Sequence, residues 1–298
     1  MGNNIIQKYQ NKIPVSNGKI NVYSEGQGEA TIIFLSGAGV TSPVLEYKPL
    51  YSRLSDEYRI AVVEKSGYGF SESTGTERTV ENMVSESRAA LRKAGINPPY
   101  ILAPHSYSGF EAIWWANTYP DEIKAIFSID MGIPSMAIAM DKVITKEKKL
   151  RINEKRRKLF TTLAKQGLMS RILAKWTVNT TGLLTSDYLS DAEKELYKKL
   201  FYQNLLNKEI EDENMLMTDN AVKAEKTGII KVPSYFYISD MKTPVKSTTW
   251  KQEAIRYAEK AGGQYKYTDA GHMMYAKIPD EMARDFKNFL KTISINTP

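Results

Sequence analysis

Two residue types in this chain have the chemistry for nucleophilic catalysis: a serine in a tight turn, Ser106, and a histidine near the C-terminus, His272. A serine hydroxyl is a weak nucleophile until a base takes its proton, and that base is usually histidine. The chain's other histidine, His105, is adjacent to Ser106, so its side chain must leave the turn in another direction and is expected to pack beneath it. The chain contains no cysteine, which excludes thiolate nucleophiles, disulfides and zinc sites built on sulfur.

Ser106 lies between a predicted strand and a predicted helix. Residues 100–103 form a short apolar run bounded by prolines, which indicates a buried strand, and the residues after the serine have helical spacing. Residues 104–108, Pro-His-Ser-Tyr-Ser, have the small-x-Ser-x-small pattern of a nucleophile elbow, a sharp strand-to-helix turn that exposes the hydroxyl. Pro104 and Ser108 stand where glycine is usual. An ordinary strand–turn–helix with a surface serine is therefore the alternative interpretation.

The predicted elements around the elbow alternate between strands and helices. Apolar runs predict strands at residues 31–35, 59–63, 100–103, 123–129, 232–238 and 265–267, and helical spacing predicts helices at 79–94, 249–261 and 280–290. This alternation favours an α/β protein with a mostly parallel central sheet covered by helices on both faces. Before it, Asn17-Gly18 between two short strands predicts a β-hairpin.

The alternation stops between about residues 133 and 231, where the sequence is helical in character and heavily charged. We therefore divide the chain into an α/β core, residues 1–133 and 231–298, and an inserted helical cap, residues 134–230. The basic run at residues 146–158 is interpreted as a solvated helix face, with an anionic-ligand patch as the alternative. Apolar residues at 168–169 and 172–176 are interpreted as the interior of the cap, with a wall of the substrate pocket as the alternative.

Length and charge restrict the class of protein. A chain of 298 residues forms one large domain or one domain with an insertion. The net charge of +7 fits a lysine-rich soluble surface, and no nucleic-acid-binding motif accompanies it. No apolar run is long enough to span a bilayer. The N-terminus lacks the apolar core of a signal peptide, which favours a cytoplasmic location; an extracytoplasmic one stays open if Met1-Gly2 stands in place of a removed leader or anchor.

Taken in order, these segments resemble the cap-bearing members of the α/β-hydrolase superfamily. The matching segments are Ser36-Gly37-Ala38-Gly39, Ser66-Gly67-Tyr68-Gly69-Phe70-Ser71, the elbow, Tyr119-Pro120-Asp121-Glu122-Ile123 leading into Asp130, and Gly271-His272. They cover the chain except the cap. The resemblance implies the α/β-hydrolase fold, with Ser106 as nucleophile, His272 as general base, and the backbone N–H groups of Ala38 and Tyr107 as the oxyanion hole. Family members usually have histidine where this chain has Ser36, a change that leaves the amide donors in place.

The third member of the triad, the acid, has two candidates. In many relatives it lies shortly after the strand that precedes the last helix pair, but the corresponding residue here is Lys242, which cannot serve. Asp240 is nearby at the end of that strand. Asp130 ends the strand that follows the elbow helix, where some relatives, including certain haloalkane dehalogenases, keep their acid. We favour Asp130 and keep Asp240 as the alternative.

The resemblance implies acyl transfer to water through an acyl-serine intermediate, without a cofactor or a metal. Serine at position 106 argues against dehalogenase and epoxide hydrolase chemistry, for which the superfamily uses aspartate. We therefore expect a carboxylic ester hydrolase that acts on a small or medium, apolar acyl compound bound between the sheet edge and the cap. An amidase, aminopeptidase or carbon–carbon bond hydrolase with the same triad is the alternative. A non-catalytic binding protein that retains the fold is the second alternative, and the sequence leaves the oligomeric state open.

Overall fold

Eight strands form one central sheet. The structure is a computed structural model that describes residues 2–28, 30–165, 179, 181–205 and 207–295. The strands are β1 Lys12–Val15, β2 Gly18–Glu25, β3 Thr31–Leu35, β4 Arg59–Glu64, β5 Tyr100–Pro104, β6 Ile123–Ile129, β7 Ser234–Ile238 and β8 Gln264–Tyr267, in the spatial order β1-β2-β4-β3-β5-β6-β7-β8. The first two strands are antiparallel to their neighbours and all other pairs are parallel. The predicted α/β fold with a mostly parallel sheet is confirmed, and so is the hairpin at Asn17-Gly18.

Helices connect the strands and cover both faces of the sheet. They are α1 Gly2–Tyr9, α2 Pro43–Glu46, α3 Lys48–Tyr51, α4 Val80–Lys93, α5 Ser108–Thr118, α6 Pro134–Asp141, α7 Lys146–Lys165, α8 Asp191–Asn204, α9 Lys208–Met215, α10 Met217–Lys226, α11 Trp250–Lys260 and α12 Pro279–Ile295. Single 3₁₀ turns occur at Pro120–Glu122 and Met274–Ala276. Four helices were predicted outside the cap: the one after Ser106, which is α5, and those at 79–94, 249–261 and 280–290, which are α4, α11 and α12. Helices α1, α2 and α3 were not predicted.

Most of the hydrophobic core lies in two layers, one on each face of the sheet, and a small third cluster consists of Met136, Val245 and Trp250. Successive side chains of a strand point to opposite faces, and β3 shows the result: Ile32 and Phe34 lie in one layer, and Ile33 and Leu35 in the other. The first layer is closed by α3, α8 and α12, and the second by α4, α5, α10 and α11. A strand buried on both faces contains a continuous apolar run, which is why this part of the fold is predictable from sequence.

The carboxyl ends of the parallel strands meet at one edge of the sheet. Ser106 follows β5 there, and Asp130 follows the neighbouring strand β6. His272 lies in the loop after β8, between this strand and the second 3₁₀ turn. The sheet order therefore brings residues far apart in sequence to one edge.

Helices α6 to α10 lie in sequence between β6 and β7, the segment predicted to be a cap. The last of them, α10, packs on α5 and α6, and its Ala221 and Ala224 are buried in the second core layer. The division at residues 133 and 231 remains a proposal. The apolar residues predicted at 168–169 and 172–176 lie outside the described residues. Across the described part of the chain, no helix combines the length and the apolar character that crossing a membrane requires.

Candidate active site

Ser106 occupies a strained turn between β5 and α5. Its φ of +54° is in the left-handed region, which costs an L-residue on the order of 1 kcal/mol. The turn packs closely against the loop of residues 36–39, since a Cβ added to Gly37 would lie 2.7 Å from the Cβ of Ser106. The Gly132 N–H donates to the Ser106 carbonyl at 2.6 Å. The half-buried Ser106 side chain is thus held at the carboxyl edge of the sheet.

Ser108, which stands where the elbow pattern usually has glycine, stabilises this turn. Its buried hydroxyl accepts the His105 N–H at 2.9 Å. The same hydroxyl lies within donating distance of the carbonyl oxygens of Leu35, at 2.8 Å, and of His105, at 2.9 Å. The departure from glycine therefore supplies hydrogen bonds that connect the turn to β3.

The His272 ring is held by Asp130. The Nδ1 atom of His272 lies 2.6 Å from the Oδ2 atom of Asp130, whose side chain is completely buried. The carboxylate also accepts the Ser239 N–H at 2.8 Å, the Ser239 hydroxyl at 2.6 Å and the Trp250 indole N–H at 2.8 Å. An acceptor at Nδ1 favours the tautomer that carries its hydrogen there, which leaves Nε2 free to accept a proton. Asp240, the other candidate, is exposed to solvent.

Trp250 contacts His272 and Asp130 and also lines the cavity that Ser106 borders. Its indole ring packs edge-on against His272 with 5.7 Å between ring centroids, and its N–H donates to Asp130. Sequence reasoning missed Trp250 and Ser239, because their contacts with Asp130 span 120 and 109 residues of sequence and leave no local pattern.

His105 is buried beneath the turn and faces away from solvent. Its Nδ1 atom lies 3.2 Å from the Tyr47 hydroxyl, and its Nε2 atom lies 3.2 Å from the backbone carbonyl of His272. Burial lowers the pKa of His105 well below its ordinary value, and the neighbouring His272 lowers it further. A neutral ring that hydrogen-bonds the His272 backbone acts as a support for the loop that carries His272.

The loop of residues 36–39 presents an amide beside Ser106. The Gly37 and Gly39 N–H groups donate to the hydroxyls of Tyr47, at 3.4 Å, and Tyr68, at 3.2 Å. Within the described part of the chain, the Ala38 N–H between them has no acceptor, and neither has the Tyr107 N–H at the start of α5. Two unpaired N–H groups flanking the serine are what an oxyanion needs.

Buried polar side chains connect this loop to α5 and to α9: Lys65, Tyr68, Glu111 and Glu213. The Tyr68 hydroxyl accepts the Gly39 N–H and donates to Glu213 Oε2 at 2.6 Å. Lys65 pairs with the other oxygen of Glu213 and, at 3.2 Å, with Glu111 on α5. Burial opposes the charge on Lys65, but the two carboxylates outweigh it and raise its pKa. No sequence signal had pointed to this network.

A small, mostly apolar cavity of about 130 Å³ opens beside Ser106. Its lining consists of Ser106, Tyr107, Phe110, Gly132, Ile133, Ala137, Met140, Met217, Met241 and Trp250. A larger groove of about 340 Å³ lies between α10 and α11, and none of Ser106, Asp130 and His272 lines it. In the described residues, no group of three or more His, Asp or Glu side chains is arranged to hold a metal ion. The site that the geometry supports is the one at Ser106.

Comparisons with known sequences find relatives of partly known activity. No protein-family model matches the chain. The chain is similar to the uncharacterized protein YbdG of Bacillus subtilis, with 30% identity over 286 residues, which are 94% of this chain and 85% of that protein. It is 28% identical over 121 residues to 2-(acetamidomethylene)succinate hydrolase of Mesorhizobium japonicum, which covers 40% of this chain and 41% of that protein.

Solved structures show the same fold over almost the whole chain. The enol-lactonase from Burkholderia xenovorans superposes with a TM-score of 0.64 and 17% identity, covering 94% of this chain and 100% of that one. Cfl2 from Burkholderia cenocepacia superposes with a TM-score of 0.65 and 17% identity, covering 93% of this chain and 94% of that one. Identities this low establish a common fold and leave the chemistry to the site itself.

Proposed function

Because the chain belongs to the α/β-hydrolase superfamily, we propose that it is a serine hydrolase that cleaves a small or medium acyl ester. Ser106 is the nucleophile, His272 the general base and Asp130 the acid. The observation that carries this proposal is the 2.6 Å contact between His272 Nδ1 and the buried Asp130 carboxylate, with Ser106 in a left-handed turn at the same edge of the sheet. A carboxylate on Nδ1 orients the imidazole and stabilises the imidazolium that forms when the base accepts a proton.

The proposed reaction has two halves. The Ser106 hydroxyl gives its proton to His272 Nε2 while its oxygen bonds to the ester carbon, and the carbonyl oxygen becomes an oxyanion. The N–H groups of Ala38 and Tyr107 stabilise that charge. When the tetrahedral intermediate collapses, the carbon–oxygen bond to the alcohol breaks and His272 returns the proton to the departing alcohol. Water then attacks the acyl-serine by the same route and releases the acid.

The proposed cap, residues 134–230, supplies walls of the substrate pocket. Ala137 and Met140 of α6 and Met217 of α10 line the cavity beside Ser106. Substitutions at these positions are expected to change the preferred chain length of the substrate more than the ester-hydrolysis mechanism.

A series of p-nitrophenyl esters of increasing acyl length, assayed with the wild type and Ser106→Ala, tests the proposal. Ser106→Ala is expected to lower kcat by about 10³-fold or more and to fold normally, because a half-buried side chain at a turn fills little of the core. A fluorophosphonate probe should label the wild type and leave the variant unlabelled. A variant that retains more than about a tenth of the wild-type kcat would contradict the assignment. A wild type that neither reacts with the probe nor cleaves any ester would favour a binding protein.

Amide hydrolysis by the same triad is the second candidate. The relative from Mesorhizobium japonicum is named for hydrolysis of a compound with an acetamido group. A p-nitroanilide assayed beside the p-nitrophenyl ester of the same acyl group separates the two reactions. A higher kcat/KM for the anilide would replace the ester by the amide as the proposed substrate.

A further inference from the structure

A second cavity, of about 200 Å³, adjoins the one beside Ser106. The two share three lining residues, Tyr107, Met140 and Met217, so they lie side by side along these side chains. The remaining lining of the second cavity is Ile144, Lys149, Ile152, Asn153 and Asn214. One cavity is therefore mostly apolar, and the other presents an ammonium and two amides.

Lys149 departs from the solvated helix face that its sequence neighbours suggest. Its side chain is 12% exposed, whereas Lys148 next to it is exposed to solvent. The Lys149 ammonium donates to Asp141 at 2.8 Å and to the Thr218 hydroxyl at 3.2 Å. An ammonium has three N–H donors, and these two bonds use two of them.

Two amide side chains accompany the ammonium. Asn214 donates through its Nδ2 to the Ile210 carbonyl at 2.8 Å, which fixes the orientation of its side chain. Asn153, one turn of α7 beyond Lys149, is half-buried at the same cavity. Amide groups beside an ammonium supply additional donors for the oxygens of an anion.

The electrostatic surroundings favour an anion over a neutral polar group. Helix α7, which carries Lys149 and Asn153, contains nine lysines and arginines against two glutamates, a net charge equal to the +7 of the whole chain. Asp141 offsets part of the charge of Lys149. Because the Asp141 side chain is 44% exposed, solvent and salt screen its carboxylate. Helix α9, which packs on α7 and supplies Asn214, carries four carboxylates and one lysine, so the excess of positive charge around this cavity comes from α7.

We infer that the substrate is an amphiphilic ester with a carboxylate at one end, bound with its apolar end in the cavity beside Ser106 and its carboxylate against Lys149. This inference rests on the proposed esterase function. The opposite orientation would bury a carboxylate among Phe110, Ile133 and Met241 without a cation, which is strongly unfavourable. Lys149 is then a specificity-determining residue, and it takes no part in the bond-breaking steps.

Matched ester pairs test the inference. Butyl hemisuccinate and butyl levulinate have nearly the same shape and differ in a terminal carboxylate against a methyl ketone, on the acyl side of the scissile bond. Carboxymethyl butyrate and acetonyl butyrate differ in the same way on the alcohol side. The wild type is expected to prefer the anionic member of at least one pair by about tenfold in kcat/KM. That pair also identifies the side of the ester that faces Lys149.

Variants of α7 then assign the preference to Lys149. Lys149→Met should remove most of the preference, mainly through a higher KM for the anionic ester, and leave the neutral ester within about twofold of the wild type. Lys149→Arg should retain much of it, and Lys148→Met, the matched control in the exposed position, should change neither ester. Activity on the neutral ester reports that each variant is folded.

The outcomes separate the two proposals. If the wild type cleaves neither member of either pair and Ser106→Ala behaves like it, the proposed function fails. If the neutral esters are cleaved at Ser106 but the wild type shows no anionic preference, only the substrate inference fails. The substrate inference also fails if Lys149→Met keeps the preference for the anionic ester, or if Lys148→Met loses as much of that preference as Lys149→Met does.

Discussion

At the scale of single residues, Asp130 accepts four hydrogen bonds on two carboxylate oxygens, from His272, Trp250 and the backbone and side chain of Ser239. It also has a φ of +49°, which is unfavourable for a residue with a Cβ. A strained backbone that persists needs a surrounding structure that enforces it, and such residues cluster at functional sites. The bonds from Trp250 and Ser239 supply that enforcement.

Asp130→Asn is expected to lower kcat by about 10⁴, because an amide in place of the carboxylate favours the wrong tautomer of His272. The variant should also lose some stability, since the amide nitrogen takes the place of an oxygen that accepts two of the four hydrogen bonds. Asp240→Asn is the matched control, at the end of the neighbouring strand and exposed, and should leave kcat unchanged. Steady-state kinetics on one ester provide the measurement, and equal losses in the two variants would contradict the role given to Asp130.

His105→Ala is expected to affect stability more than chemistry. The substitution leaves the buried Tyr47 hydroxyl without its ring partner and creates a cavity beneath the elbow, for which we expect a loss of roughly 2–4 kcal/mol. His272→Ala should instead retain its stability and lose activity as completely as Ser106→Ala. Urea unfolding and kcat distinguish the two. A stable His105→Ala without activity would overturn the choice of base.

The candidate site was partly predictable at this scale. Ser106 and His272 are recognisable because a sharp turn and a lone loop histidine leave local patterns. The sequence favoured Asp130 over Asp240 without deciding between them, since each follows a parallel strand and only the path of the His272 loop determines which one it meets. Trp250 has no local signature at all, because its role depends on where α11 begins relative to β6.

At the scale of elements, the network of Lys65, Tyr68, Glu111 and Glu213 connects the loop of residues 36–39 to helices α5 and α9. Buried charges seldom stabilise a fold over apolar residues of similar size, because desolvation offsets their attraction. What this network does provide is a defined position for the Gly39 N–H, and with it for the neighbouring Ala38 amide.

Tyr68→Phe is therefore expected to lower kcat by about tenfold with little change in KM. Displacing the proposed Ala38 donor weakens the hydrogen bond that stabilises the transition state and leaves binding of the substrate unchanged. The affinity of a boronic acid transition-state analogue should fall by a similar factor. Asp212→Asn, which breaks an exposed pair with Lys208 on the same helix α9, is the control and should alter neither quantity. A lower melting temperature with unchanged kcat and boronate affinity would show that Tyr68 contributes to stability and does not position the oxyanion donor.

The elements themselves show what sequence can and cannot predict. Helices α4 and α11 have a Thr at the N-cap whose hydroxyl accepts an N–H three residues on, a signal contained within one turn. Helix α1 depends instead on distant contacts, since the Tyr9 hydroxyl donates to Glu193, 184 residues away. Helices α2 and α3 have four residues each, too few to show a period.

At the scale of the whole molecule, Glu46 connects three parts of the structure. This buried residue of α2 accepts hydrogen bonds from Tyr197 of α8, at 3.4 Å, and from Tyr275 shortly after His272, at 3.0 Å. Burial raises the pKa of Glu46 to about 7, although the two tyrosine hydroxyls act in the opposite direction. The native protein therefore keeps a proton on Glu46 in a pH range where the unfolded chain has lost it.

This difference makes stability depend on pH. Between about 4.5, the ordinary pKa of the group, and about 7, the native state binds one proton more than the unfolded state, so stability decreases as the pH rises. Above pH 7 the loss is complete. Burial gives Glu64 a pKa of about 7 as well, with the same sign. His105 acts in the opposite direction, because its lowered pKa costs stability as the pH falls through the ordinary value of 6.5.

Comparison of Glu46→Gln with the wild type isolates one of these opposing contributions, since His105 and Glu64 are common to both proteins. The neutral amide preserves size and one acceptor and removes the charge, so the variant is expected to match the wild type near pH 4.5 and to become progressively more stable than it up to pH 7. Above that pH the gain should stay constant, at on the order of 1–3 kcal/mol. Urea unfolding at half-unit pH steps measures it, with Glu195→Gln on the exposed face of α8 as the control for loss of one negative charge. A difference between Glu46→Gln and the wild type that does not change with pH would show that Glu46 keeps the same protonation state in the folded and unfolded protein.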